Sequence, residues 1–314
     1  MTIGSMSRRT LDLAAPVDLR AVLGPHVRGP GDPTGRLSSR SALRATRSVD
    51  GPATLLVELR GTRAEAEAWG PGAARALDGL PALLGLLDEP DGFDPSPHPL
   101  IADLARRRPG LRIGWTGSIF EALLPAILEQ RVTGMEAAGA LRAITREHGE
   151  PAPGPMAASQ RLRLQPEPAR LAALPYYAFH PYGLEQRRAE VVRRVAAEAG
   201  RLDSLAQLPG DRAEVGAAAA ATLREIPGIG AWSAAEVTFR ALGDPDAVSV
   251  GDFHLKNIVT FALAGRPRGT DARMVELLEP WRGHRARVVR LLELSGISPP
   301  RYGPRFSPID RRAM

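Results

Sequence analysis

The chain has 314 residues, enough for two or three domains with their own cores. It contains no cysteine, which excludes disulfides, thiol catalysis and Cys-ligated zinc. Its net charge of +6 favours a polyanionic partner, but Lys256 is the single lysine among 41 basic residues. Beside abundant Ala, Gly and Pro, that arginine bias also has the look of a GC-rich genome.

The N-terminal stretch has no apolar signal-peptide core and no window reaches membrane-spanning length, so a cytoplasmic protein is expected. Arg9–Leu13 and Leu55–Arg60 alternate as half-buried strands do, and Ser41–Arg47 is a plausible strand between them. A short helix is expected near Val17–Leu23, a Gly/Pro-rich loop at 29–35, and a longer helix over Gly72–Leu86. Residues 1–95 thus read as a small α+β domain with an antiparallel sheet.

From 96 to 314 the pattern is helical. His98-Pro99-Leu100 opens a short helix. Ser118 and Glu121 have capping-box spacing ahead of the stripe Phe120, Leu123, Leu124, Ile127 and Leu128, the expected core helix. Glu150–Pro168 reads as a proline-rich loop. A helix with Val191, Val192 and Val195 inward follows Tyr182-Gly183-Leu184. Near the C-terminus, Met274, Leu277, Leu278 and Trp281 share one face, a last helix spans about Arg285–Leu294, and the segment from Pro299 is basic and expected to be poorly ordered.

The most informative stretch is Leu223–Lys256. Val215, Ala219, Thr222, Leu223 and Ile226 fall on one helical face, and Pro227-Gly228-Ile229-Gly230 then breaks the helix. A second helix restarts at once, with Ala234, Val237, Thr238 and Ala241 inward. The break leaves unpaired backbone N–H groups at a helix start, suited to a phosphate oxygen, while Ile229 plugs the two helices together. Some twenty residues on, Ser249-Val250-Gly251-Asp252 places an acid at the start of another helix.

PGIG-x-W-S-A followed by GD-x-x-L at this spacing resembles the helix-hairpin-helix (HhH-GPD) DNA glycosylases of base-excision repair, in particular the 3-methyladenine DNA glycosylase II (AlkA-type) branch. The iron–sulfur branch is excluded by the missing cysteines. The resemblance implies a mostly α protein: two helical subdomains with a cleft between them, the hairpin at 215–242, and the N-terminal domain as a brace. It implies damaged double-stranded DNA as partner, a monomer associated with the nucleoid when bound, and no cofactor beyond a possible structural monovalent cation on hairpin carbonyls. His26, His98, His148, His180 and His284 show no ligand spacing, so no catalytic metal is expected.

By the resemblance, Asp252 is the catalytic carboxylate, stabilising positive charge on the deoxyribose or orienting water; its ordinary alternative is a helix N-cap. Trp232 stands where glycosylase/lyases carry a Schiff-base lysine, implying a monofunctional enzyme that leaves an abasic site. Lys256 reads as a structural or phosphate-facing charge. Pro227, Gly228, Ile229 and Gly230 would meet the DNA backbone. Gln130 and Arg131 fall at the wedge that fills the gap left by the extruded nucleotide, with a solvated helix-end arginine as the alternative.

Trp232, Glu236, Trp281 and Arg290 are the expected base pocket. Glu236 and Arg290 replace aromatic residues of the branch, so a non-alkylated lesion is the alternative substrate. Glu236 could also pair with Arg240 outside the pocket. The tyrosines of Pro175–Tyr182 are either replacement surface or a packed loop. His254 is expected on a different helical face from Asp252. The rival to an enzyme is a non-catalytic helix-hairpin-helix lesion-binding protein.

Overall fold

The structure is a computed structural model that describes residues 6–29 and 31–300; most of the basic C-terminal segment lies outside them. Five antiparallel strands, β1 (Met6–Asp12), β2 (Gly35–Leu37), β3 (Ser41–Ser48), β4 (Gly51–Arg60) and β5 (Arg63–Trp69), form one sheet in the order β1-β5-β4-β3-β2. The last of these is absent from the sequence reading, although Arg63-Ala-Glu-Ala-Glu-Ala-Trp69 has period two. Ala64, Ala66 and Ala68 are buried between the neighbouring strands and the helices. Alanine's weak strand propensity masks the signal, and burial on both flanks overrides it.

Helices α1 (Leu19–Leu23), α2 (Ala73–Asp78) and α3 (Leu80–Leu83) cover one face of the sheet. The single helix expected over 72–86 is thus two short ones, meeting at Gly79-Leu80-Pro81. The opposite face is covered by 150–164, which is more than a loop: it carries α7 (Pro155–Ser159) and packs Ala152, Ala157, Leu162 and Leu164 on Leu43 and Ala45.

The remaining chain folds as α4 (Pro99–Arg107), α5 (Ile119–Leu128), α6 (Gly134–His148), α8 (Pro168–Ala173), α9 (Gln186–Ala197), α10 (Ala199–Asp203), α11 (Arg212–Arg224), α12 (Ala231–Leu242), α13 (Leu255–Ala264), α14 (Asp271–Leu278) and α15 (Arg285–Ser295). Every residue of α5 except Glu121 is buried, and α6, α9, α11 and α12 contribute to the same core. Ser118 caps α5 through the Glu121 amide at 3.4 Å. The Glu121 carboxylate does not return to the cap; it accepts from Arg44, Thr46 and the Arg47 amide across the sheet interface. The full capping box is instead Thr133–Glu136, at the start of α6.

A second helical core gathers α4, α13, α14 and α15 around Leu255, Val259, Met274, Leu278 and Trp281. Asp88 and Arg287 join the loop after α3 to α15 through a bidentate ion pair (2.9 and 2.7 Å), with both side chains almost fully buried. The two helical cores are separate clusters. A cleft lies where α12 faces the second of them, lined by Glu236, Phe239 and Arg240 on one side and by Leu255, Ile258 and Val289 on the other.

Candidate active site and nucleic-acid interface

The hairpin is made by local rules. α11 stops at Arg224, and Ile226 and Ile229 turn into the core while Pro227, Gly228 and Gly230 stay exposed. Gly228 has φ +101°, and a Cβ there would lie 2.2 Å from Val191 Cγ2. Only glycine fits, because both the backbone angle and the packing on α9 refuse a side chain. Gly230 is the N-cap of α12 and supplies no side-chain cap. A Cβ on it would meet nothing within 4 Å. The first amides of α12 therefore face solvent at the positive end of the helix dipole, an anion-binding arrangement.

Gln130 braces this turn. Its amide donates to the Gly228 carbonyl (3.0 Å) and to Ser233 Oγ (2.8 Å), so it is a strut rather than the expected wedge. Arg131 beside it is exposed, has φ +57° and makes no hydrogen bond or ion pair among the described residues. A non-glycine residue held in that conformation costs about 1–3 kcal/mol and is commonest at functional positions. Arg194 donates to the Pro227 carbonyl at 2.8 Å. The Pro227 and Gly228 carbonyls thus each accept one side-chain N–H donor, which fixes the turn from α9 and from the end of α5.

Asp252 sits in the turn before α13. Its Oδ1 accepts from the amides of His254 and Leu255 (2.7 Å each), and its Oδ2 accepts from Trp232 Nε1 at 3.2 Å. The capping geometry is real, yet the same half-buried carboxylate lines a cleft of about 320 Å³. A larger cavity, about 610 Å³, lies between the sheet and α5 and contains neither Asp252 nor any hairpin residue. The larger cavity also holds carboxylates, Glu121 and Asp203, but they are tied to Arg44, Thr46 and the backbone of Arg47 and Phe120, far from the hairpin in sequence. The Asp252 cleft is the better candidate because its carboxylate follows the hairpin and Glu236 and Arg240 of the second hairpin helix line the same space.

Glu236 and Arg290 also line this cleft. Glu236 does pair with Arg240 (2.6 Å), but the pairing does not take it out of the cleft. It accepts from Ser249 Oγ as well, at 2.5 Å. Burial pushes the Glu236 carboxyl upward, but Arg240, the Ser249 hydroxyl and Arg28 outweigh it and hold it below the usual range. Arg290 donates to the Ala21 carbonyl (3.1 Å) and pairs with Glu293.

Two of the expected pocket residues fall elsewhere. Trp281 is buried in the second helical core, its indole donating to the Asp94 carbonyl at 2.9 Å, because the turn at Pro280 aims it inward. Trp232 reaches the site only through its indole N–H on Asp252. The Pro175–Tyr182 stretch is a packed 3-10 turn: Phe179 is fully buried and Tyr182 Oη bonds His148 Nε2 at 2.8 Å. Burial and Glu147 push the Tyr182 hydroxyl up to about 12.

His254 lines the cleft after all. It precedes α13, so a helical-face argument does not apply to it. Lys256 pairs with Asp271 at 3.4 Å, and Asp271 accepts from the Gly251 amide, steadying the Asp252 turn. Pro25, Phe239, Ser249 and Glu293 also line the cleft without a sequence signal of their own; their separation along the chain hides them. Among the described residues, no group of three or more His, Cys, Asp or Glu could hold a metal ion, and no helix is long and apolar enough to cross a membrane.

No protein-family model matches the chain. It is 29% identical over 187 residues to DNA-3-methyladenine glycosylase 2 of Escherichia coli (strain K12), a match over 58% of this chain that spans 60% of the relative's length. The solved 3-methyladenine DNA glycosylase from Archaeoglobus fulgidus superposes with a TM-score of 0.72 at 20% identity, covering 91% of this chain and 97% of that one. The Clostridium acetobutylicum 8-oxoguanine glycosylase/lyase, solved with double-stranded DNA containing cytosine opposite 8-oxoguanine, gives 0.67 at 12% identity, covering 93% and 97%. The chain has the fold of the helix-hairpin-helix DNA glycosylases, and its sequence resembles their 3-methyladenine glycosylase II branch.

Proposed function

We propose that the protein is a monofunctional DNA glycosylase of base-excision repair, acting as a monomer on damaged double-stranded DNA in the cytoplasm. The observation that carries this reading is the Asp252 carboxylate, fixed by three N–H donors and facing a cleft just beyond an uncapped hairpin. A base extruded from the duplex enters the cleft, and breaking its N-glycosidic bond builds positive charge on the deoxyribose. A carboxylate already oriented against that charge stabilises it without reorganising, and can orient the water that completes hydrolysis. The amides of Gly230 and the first turn of α12 hold a phosphate, and Arg131 fills the vacated stack, its flat guanidinium suited to lie between bases.

Monofunctionality rests on Trp232: an indole cannot form a Schiff base, and Lys256 is committed to Asp271. An alkylated purine is the first substrate to test, since the curated relative is named for 3-methyladenine. A second reading, a non-alkylated lesion with a polar edge, is favoured by the cleft wall, where Glu236, Arg240 and Arg290 stand beside the rings of Phe239 and His254 and, among the described residues, no tryptophan or tyrosine lines the space. The test is excision from duplexes carrying 3-methyladenine, 7-methylguanine, hypoxanthine or 8-oxoguanine, followed by alkali to reveal abasic sites. Release of one or more bases, with strand cleavage only after alkali, is expected. Cleavage before alkali would show lyase activity, and no release by a folded, DNA-binding protein would favour the non-catalytic alternative.

A further inference from the structure

Four hydrogen bonds in series connect the N-terminal region to the Asp252 turn. Arg240 Nε donates to the Pro25 carbonyl at 2.8 Å, and Arg240 Nη1 donates to Glu236 Oε2 at 2.6 Å. Ser249 Oγ donates to Glu236 Oε1 at 2.5 Å. The Asp252 amide then donates to the Ser249 carbonyl at 3.0 Å, closing the turn that carries the carboxylate. Glu236 and Arg240 are each about 15% exposed in their side chains, so these bonds are shielded from water and hold their geometry.

Both Glu236 oxygens are therefore occupied by protein donors, one from its own helix and one from the Asp252 turn. Such a carboxylate is a poor first choice for reading a base edge and a good clamp. On the opposite side, Asp271 holds the Gly251 amide (3.0 Å), so the turn is gripped from α12 and from α14. Only the α12 grip runs back to the N-terminal region.

We propose that Glu236 and Ser249 are positioning residues for Asp252, and that the Pro25 carbonyl, by anchoring Arg240, makes the N-terminal region part of the active site rather than a remote brace. The inference rests on the catalytic reading of Asp252. It replaces base recognition by Glu236 with control of where the Asp252 carboxylate lies. Small displacements of a catalytic group cost rate rather than affinity, up to about a hundredfold per ångström.

The test is single-turnover excision on the four-lesion panel together with the 13C resonance of the Asp252 carboxyl carbon, assigned by its loss in Asp252→Asn. Ser249→Ala is expected to slow excision of every accepted base by about tenfold, leave duplex affinity unchanged and shift the Asp252 resonance. Ser249→Thr, which keeps the hydroxyl, should restore both. Glu236→Gln should act similarly, and the double variant should be no slower than the worse single one, because both break the same link.

Wild-type rate and an unmoved resonance in Ser249→Ala, with Asp252→Asn inactive, would overturn the positioning role and leave the catalytic reading intact. A Glu236→Gln effect that reorders the preferred bases would overturn it in favour of base recognition. Wild-type excision by Asp252→Asn would overturn the catalytic reading itself. The resonance decides the structural link even if no base on the panel is excised, and Ser249→Ala removes so little that folding is not at stake.

Discussion

The hairpin and the cleft sit at opposite extremes of polar saturation although α12 belongs to both. At the hairpin, backbone amides are left open, Gly230 contributes no cap, and the neighbouring Arg131 pairs with nothing among the described residues. In the cleft the charged side chains are already engaged: Glu236 with Arg240 and Ser249, Arg290 with Ala21 and Glu293, Asp252 with three N–H donors. The difference teaches what each region can do. Open donors bind whatever anion arrives, with little regard to sequence, whereas saturated groups hold one geometry and discriminate by position.

The largest effect should come from the cleft. Asp252→Asn keeps the shape and loses the charge, so single-turnover excision should fall about a thousandfold, or roughly 4 kcal/mol, while affinity for lesion duplex stays within about twofold. A rate near wild type would erase the functional contrast between the regions.

Next comes the rigid half of the hairpin. Gly228→Ala forces a side chain into left-handed backbone and against Val191, and should destabilise the fold by about 3 kcal/mol in urea denaturation. An unchanged midpoint would mean that the turn can shift, and that its amides are less fixed than the geometry implies.

The far end of α12 offers a pH test. Asp244 is buried, accepts from Thr238 Oγ1 and the Asp246 amide, and burial pushes its carboxyl up to about 6 from 3.8. The native state therefore binds the proton more tightly than the unfolded chain. The stability that this proton confers is fully present below about pH 4 and is lost as the pH rises through 6. The magnitude is roughly 2–3 kcal/mol at about 1.4 kcal/mol per pKa unit. Denaturation midpoints of the wild type and Asp244→Asn across pH 4–7 should diverge in that window; parallel curves would place the titration elsewhere.

The smallest effect isolates the open half of the hairpin. Gly230 has ordinary φ of −97°, and its Cβ position is empty, so Gly230→Ala should fold normally. A methyl group where a phosphate must approach should weaken binding to damaged and undamaged duplexes alike, by about tenfold. Titrations at several salt concentrations would measure it. If only damaged DNA lost affinity, the hairpin would belong to the pocket and the two regions would not be separable.

What was legible in the residues follows the same division. The hairpin depends on neighbours in sequence: proline and glycines stop one helix, Ile229 returns to the core, and the next helix begins within the same short stretch. The apolar helix α5, the valine face of α9 and the alternating strands β1, β3 and β4 were equally readable, since each repeats at its own backbone period. Asp252 was identified by its place after the hairpin, and the structure sets it on a cleft.

Other features needed partners far away in the chain. Only tertiary packing turns Gln130 from a wedge into a strut on Gly228 and takes Trp281 into a core. Only there do Pro25 and Arg240 meet, 215 positions apart, or Asp88 and Arg287, 199 apart. β5 is an intermediate case: its Ala/Glu alternation was written in the sequence, but alanine's low preference for strands hid it until two flanking strands and a helical layer buried it. Backbone geometry is set by steric and hydrogen-bonding rules acting over a few residues, so the sequence alone determined the hairpin and most of the elements. The walls of the cleft are set by which distant side chains come within 3 Å of one another, and that was decided only when the chain closed on itself.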